Sequence, residues 1–306
     1  GQMALSLWIL SDKGVSASTQ RLLEVASARG HTATCVSPAD VCFTLGSTEA
    51  PVLDSVPDVA LARMGGGTPR AAFDVLFALE ALAVPVVSPA AALLVARDKA
   101  LSALALRAHG VPTPLSAWVA PSHVDDALRV VPGPPFVLKV PAGHQGKGVS
   151  LVHSLGALRD EARELAALAP RILVQEYLPA GSRDLRIVVV GGEAVAAMQR
   201  TASAGDFRTN LHVGGSAAAV TPSVELSTLA VRAAAALGLD VAGVDIVETA
   251  SGPTVLEVNA SPGLMGITSA TGVDVADSIL AAVEARARGL RSPPTDEVDE
   301  RDGVRA

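Results

Sequence analysis

Cysteine is nearly absent from this chain. Cys35 and Cys42 are too few for a disulfide framework, and as small apolar residues they fit a reducing cytosol, so a cytoplasmic location is expected. Charge is scarce at 18% of residues, and the formal net charge is -7. Clustered Lys and Arg are what neutralise a phosphate backbone, so nucleic acid is excluded as a partner. Aromatics make up only 3%, which leaves a core built from Ala, Val and Leu. Long hydrophobic runs are missing as well: Leu226 to Val244 is interrupted by Arg232 and Asp240, and no run reaches the roughly 20 residues of a membrane span. No stretch reads as a signal peptide, and no internal repeat is apparent.

The 306 residues, 49% of them hydrophobic, are enough for about two or three units. Leu5 to Leu10, Thr32 to Val36, Val59 to Ala62 and Val86-Val87 read as strands. They alternate with helices over Thr19 to Arg29 and Ala71 to Ala83, an order that gives a parallel sheet. In such sheets ligands bind at the carboxyl ends of strands, where Ser11-Asp12-Lys13-Gly14 and Arg63-Met64-Gly65-Gly66-Gly67 fall. From Val95 the pattern changes to a helix near Arg97 to His109, closed by Gly110, and a strand over Phe136 to Val140. Next come a helix over Ala157 to Ala169 and a strand over Ile172 to Tyr177. Leu185 to Val190 and Ala194 to Gln199 read as a hairpin turning at Gly191-Gly192, and Leu226 to Leu237 and Val275 to Arg288 as helices. The polar, proline-bearing end beyond Gly289 reads as a disordered tail.

Two runs, Val241 to Val247 and Val255 to Asn259, read as a second hairpin turning through Thr249 to Gly252. The period of two sends Glu257 and Asn259 to one face, with Asp245 on the neighbouring strand. Three oxygen donors there suit a hard cation that completes its shell with water and phosphate, though a solvated strand face gives the same pattern. Gly143-His144-Gln145-Gly146-Lys147-Gly148 follows the strand that carries Lys139. Its glycines permit a loop folded over phosphates, or a flexible turn; it is not a Walker A loop, because Gly148 stands where Ser or Thr is required. Lys139 could meet phosphates or serve as a strand-end gatekeeper. Asp184 and Arg186 could be a surface pair, and Arg208 supplies a guanidinium able to grip a phosphoryl oxygen.

Seven blocks stand in one order: Arg97-Asp98-Lys99; Lys139 with Gly143 to Gly148; Gln175-Glu176-Tyr177; Asp184-Leu185-Arg186; Phe207 to His212; Ala242 to Asp245; and Glu257 to Leu264. Across roughly Val95 to Ala287 the chain resembles the ATP-grasp superfamily, and specifically the RimK-type amino-acid ligases. The resemblance implies an α/β ATP-grasp fold with an N-terminal parallel-sheet α/β domain (1–94). A small central subdomain with a glycine-rich lid (95–175) and a C-terminal α+β subdomain with the metal site (176–289) would follow, then the tail (290–306). It implies ATP and two Mg²⁺ (or Mn²⁺) as cofactors. Lys99, Lys139, Gly143, Gln145, Gly146 and Gly148 would lie on the phosphates, Glu176, Tyr177 and Leu178 around adenine, and Asp184 beside the ribose. Asp245, Glu257 and Asn259 would hold metal. Arg208 and Asn210 would face the transferred phosphoryl group, and Arg63, Arg186 and His212 are candidates for substrate contact.

The expected activity is ATP-dependent carboxylate–amine ligation through an acyl phosphate, on a small amino acid or peptide-like metabolite. The alternatives are a RimK-type glutamate ligase acting on a protein C-terminus, a D-alanine-type dipeptide ligase and a nucleotide-binding module without turnover. No membrane partner is expected, and homo-oligomerisation stays open. One departure from the family matters: Val213 stands where glutamate-adding members carry an arginine before the glycine pair. A less anionic substrate, or another cation such as Arg63 or Lys13, is expected to answer for it.

Overall fold

The computed structural model describes residues 4–46, 52–141, 148–179, 183–202 and 215–289. The first part alternates β1 (Ser6–Leu10), α1 (Ala17–Ala28), β2 (Thr32–Val36), β3 (Val59–Ala62), α2 (Asp74–Ala81), β4 (Val86–Val87) and α3 (Ala90–Arg97). Its strands form a parallel sheet in the order β2-β1-β3-β4. Alternation along β1 divides the packing: Leu7 and Ile9 enter one apolar core with Leu22 and Val25 of α1, while Leu10 enters another with Phe73, Leu76 and Leu93. The helix expected over Ala71 to Ala83 begins as a 3₁₀ turn at Arg70–Phe73.

The helix expected from Arg97 is divided. Asp98 adopts an extended backbone, and its side chain accepts from the Ala100 and Leu101 N–H groups at 2.9 and 3.0 Å, so α3 ends there and α4 (Lys99–Ala108) starts anew. Lys99 thereby sits in the first turn of a capped helix, and its backbone N–H donates to Pro141 O at 2.9 Å.

The second sheet is antiparallel and ordered β5-β8-β6-β7: β5 (Ser116–Val119), β6 (Phe136–Lys139), β7 (Val149–Val152) and β8 (Ile172–Glu176). α5 (Leu155–Leu165) covers it, burying Leu158, Ala162 and Leu165 against Phe136, Leu138, Ile172 and Val174. β5 and β7 were not expected from the sequence because each carries a serine and is only partly buried, so neither shows the continuous apolar run that marks β3 and β4.

The third sheet, also antiparallel, runs β11-β10-β9-β12-β13, from β9 (Arg183–Val190), β10 (Glu193–Thr201), β11 (Ser216–Ala219), β12 (Val241–Thr249) and β13 (Gly252–Asn259). Three helices pack here: α6 (Val224–Ala236), α7 (Leu264–Thr271) and α8 (Val275–Ala287). Ile187, Val189, Val244 and Ile246 pack with Leu229, Ala230 and Ala233 of α6. On the opposite face Val188, Val190 and Met198 join α7 and α8, and the same core continues into Leu7, Ile9 and Leu61 of the first sheet. Ile279, Leu280 and Val283 of α8 are fully buried there, each contributing about 1.5–3 kcal/mol. No helix among the described residues is long and apolar enough to cross a membrane.

That second face changes character along β9. Val188 and Val190 belong to the core, whereas Arg186 and Asp184, two and four residues earlier on the same face, are charged. The charged half carries the candidate site.

Candidate active site

Strand register gathers the charges. Asp245 on β12 stands opposite Arg186 on β9 and opposite Glu257 on β13, and Asn259 stands opposite Gly243, so the three expected oxygen donors share one sheet face. Arg186 Nε and Nη2 donate to Asp245 Oδ1 and Oδ2, both at 2.7 Å. Arg200 on β10, opposite Asp184, donates through Nε to Asp184 Oδ1 at 2.8 Å, and its Nη2 lies 2.8 Å from Asp245 Oδ2. Asp184, Arg200 and Asp245 are all buried. Asp184 and Arg186 are therefore not a surface pair: each reaches across a strand to a different partner. Burial pushes the Asp245 carboxyl upward, but Arg186 and Arg200 outweigh it and hold the group below its ordinary range.

Lys99 Nζ donates to Glu257 Oε1 at 2.9 Å, joining the start of α4 to β13. The Glu257 side chain is 50% exposed, which leaves it open to a ligand. Burial raises its pKa, while Lys99, and more weakly Lys139, pull it below the usual value. Lys139, at the end of β6, is the most perturbed lysine here. Burial, and secondarily the charge of Lys99, press its ammonium down to about 8, with Glu257 opposing. A cation held at such a cost is primed for an anion that would recharge it.

Two glycines are fixed by space. Gly148 has φ +71°, and a Cβ there would lie 3.2 Å from Val140 Cβ and Cγ2, where the chain re-enters β7. Gly243 has an ordinary backbone, yet a Cβ would lie 3.0 Å from Pro262 Cβ and 3.6 Å from Arg186 Nε. The missing methyl lets the turn after Asn259 settle on β12 beside the Arg186–Asp245 pair. Asn259 Oδ1 accepts from the Ser261 N–H at 3.0 Å, tightening that turn.

The remaining expected residues are distributed unevenly. Glu176 Oε1 accepts from the Leu115 N–H at 2.8 Å, so this carboxylate ties the end of β8 to the chain entering β5, with Tyr177 and Leu178 following it, both partly buried. Arg63, at the end of β3, donates through Nη2 to Pro262 O at 2.7 Å. Gly143, Gln145, Gly146, Arg208, Asn210, His212 and Val213 lie outside the described residues, as does the tail. Sequence reasoning missed Arg200, and named Gly243 only as part of the block Ala242 to Asp245, without a role of its own. Arg200 could have been found: it stands two residues beyond Met198, a core residue, so strand period already turns it inward.

Among the described residues no three His, Cys, Asp or Glu side chains form a metal cage. The hairpin instead offers two carboxylates and an amide. Cationic side chains already stand against both carboxylates, which marks the face as one that accepts positive charge. That donor set suits a hard divalent cation sharing its shell with phosphate.

Residues 96–283 match the family model described as the RimK-like ATP-grasp domain. The chain is 39% identical over 295 residues to a probable alpha-L-glutamate ligase of Thioalkalivibrio sulfidiphilus (strain HL-EbGR7), covering 94% of this chain and 98% of that protein. It is 40% identical over 289 residues to a probable alpha-L-glutamate ligase of Stenotrophomonas maltophilia (strain K279a), covering 92% and 98%. Among solved structures, a RimK domain ATP-grasp protein from Sphaerobacter thermophilus DSM 20745 superposes with a TM-score of 0.72 at 27% identity, over 91% of this chain and 99% of that one. The D-alanine–D-alanine ligase of Bacillus anthracis shares the fold, with a TM-score of 0.68 at 18% identity over 94% and 99%.

Proposed function

Because the chain belongs to the RimK-like ATP-grasp family, and is an ATP-grasp ligase, we propose that it activates a carboxylate with ATP and joins it to the amino group of L-glutamate, on an amino-acid or peptide substrate. The observation that carries the ATP half is the convergence of Lys99 from α4 and Lys139 from β6 on Glu257 of the Asp245–Asn259 hairpin. The glutamate half rests on full-length likeness to proteins named probable alpha-L-glutamate ligases.

Asp245, Glu257 and Asn259 would hold Mg²⁺, whose chemistry is to neutralise charge on the transferred phosphoryl group. Lys99 and Lys139 bind the phosphates, replacing the Lys99–Glu257 pair with contacts to substrate. Arg186 and Arg200 keep Asp245 ionised and aimed across the face. The acid's carboxylate oxygen attacks the γ-phosphorus, the bond from that phosphorus to the bridging oxygen of ADP breaks, and an acyl phosphate results. The glutamate amine then attacks the acyl carbon, phosphate leaves and an amide forms. Arg208 and Asn210 are assigned to the phosphoryl and acyl groups, and Glu176 to Leu178 to the adenine end.

A second reading, ligation of a small and less anionic amino acid, is favoured by Val213. Competition kinetics separate the two. Initial ADP formation with L-glutamate, L-glutamine, L-alanine and D-alanine as amines should favour L-glutamate by at least about tenfold, the value of one charge-assisted contact. Equal use of L-alanine or L-glutamine would overturn the glutamate assignment and leave the ligase reading standing.

A further inference from the structure

Arg63 stands at the carboxyl end of β3, where the parallel sheet opens toward the hairpin site. Its one described hydrogen bond is to a neutral acceptor, the Pro262 carbonyl, three residues beyond Asn259. Among the described residues no carboxylate pairs with it, and burial alone lowers its pKa to about 10. A partly buried guanidinium without an anion is costly, and four of its five N–H donors lack a described partner.

The surrounding loop is held firmly in place. Gly65 packs against the Asn259–Pro262 turn, a Cβ at Gly65 lying 4.0 Å from Ser261 Cβ, and the Thr68 N–H closes a tight turn on Gly65 O at 3.0 Å. Thr68 Oγ1 donates to Asp12 Oδ1 at 2.8 Å, which ties this loop to the Asp12-Lys13 loop after β1. Arg97 Nη2 donates to Thr68 O at 2.7 Å. Its guanidinium, 5.2 Å over the Phe73 ring, also has no carboxylate hydrogen bond among the described residues, and Nε is buried without a partner there. Two guanidiniums thus frame the glycine loop, one at each end.

We propose that Arg63, with the Gly65–Gly67 loop, binds a second carboxylate of the acid substrate, so that the preferred acid carries an anionic side chain beside the carboxylate that is activated. This rests on the ligase reading and supplies the cation that Val213 does not. Guanidinium geometry favours a carboxylate held bidentately, and the position beside Pro262 places that contact next to the metal hairpin.

The test compares α-L-glutamyl-L-glutamate with α-L-glutamyl-L-glutamine as acids, with L-glutamate and ATP. The unmodified protein should prefer the first by at least about tenfold in kcat/KM. Arg63→Met should reduce that ratio to within about threefold while KM for ATP and Tm stay close to their starting values, and Arg63→Lys should restore part of it. An unchanged ratio in Arg63→Met, or an equal loss for both acids with a large fall in Tm, would make Arg63 a clamp between β3 and Pro262 and overturn the proposal. Calorimetric titration of both dipeptides in the presence of a non-hydrolysable ATP analogue keeps the two readings apart. Binding of the first that depends on Arg63, without turnover of any acid, would support the Arg63 site and sink the ligase reading; binding indifferent to Arg63, or none, would sink the Arg63 site.

Discussion

Replacing Glu257 with Gln is expected to lower the ligation rate by roughly 10²- to 10⁴-fold, about 3 to 5 kcal/mol of transition-state stabilisation, while the protein stays folded. The reason is the division of labour at that position. The Glu257 side chain is half exposed and its one described hydrogen bond is to Lys99, so an isosteric amide removes a charge without opening a cavity, and exposed pairs of this kind contribute little to stability. What is lost is a hard anionic donor on the face that would hold the divalent cation. Steady-state ADP release and thermal unfolding, measured on the same preparation, give the answer. A rate within about threefold of the unmodified protein would remove Glu257 from the site.

Arg200→Met is expected to do the opposite, costing stability first. One guanidinium serves Asp184 and Asp245, and all three side chains are buried. Removing it strips Asp184 of this guanidinium and leaves Asp245 to Arg186 alone, at about 3 kcal/mol, a fall in Tm on the order of 10 °C. The pH dependence follows from the sign of the shift. Asp245 is held below its ordinary pKa, so it contributes stability above the normal carboxylate range that is lost as pH falls through the depressed folded value. Without Arg200 that folded value rises, and the acid limb of the stability curve should begin at higher pH. Scanning calorimetry from about pH 2 to pH 7 tests both statements; an unchanged Tm and an unchanged acid limb would show the network to be dispensable.

Much of this arrangement was legible in the sequence, for definite reasons. The hairpin pairing Asp245 with Glu257 follows from strand period and a short turn, both local properties, and the parallel first sheet follows from alternation of strands and helices. The break at Asp98 was not read, because helical period runs through it; capping by one aspartate outweighs the propensity of its neighbours. The partner of Arg186 could not be read either. It depends on which strand lies on the far side of β9 from its hairpin partner, and the order β11-β10-β9-β12-β13 places β12, more than fifty residues away, there. Gly243 reads as an unremarkable strand residue until Pro262 is found above it. Long-range register decides such contacts, and local pattern does not record it.

The central claim is activation of a carboxylate by transfer of the γ-phosphoryl group, and isotope transfer tests it most directly. An acid labelled with ¹⁸O in its carboxylate, incubated with ATP and L-glutamate, should deliver one labelled oxygen to inorganic phosphate for each amide formed, with ADP as the only nucleotide product. Label appearing in AMP, or amide formation with unlabelled phosphate, would contradict it.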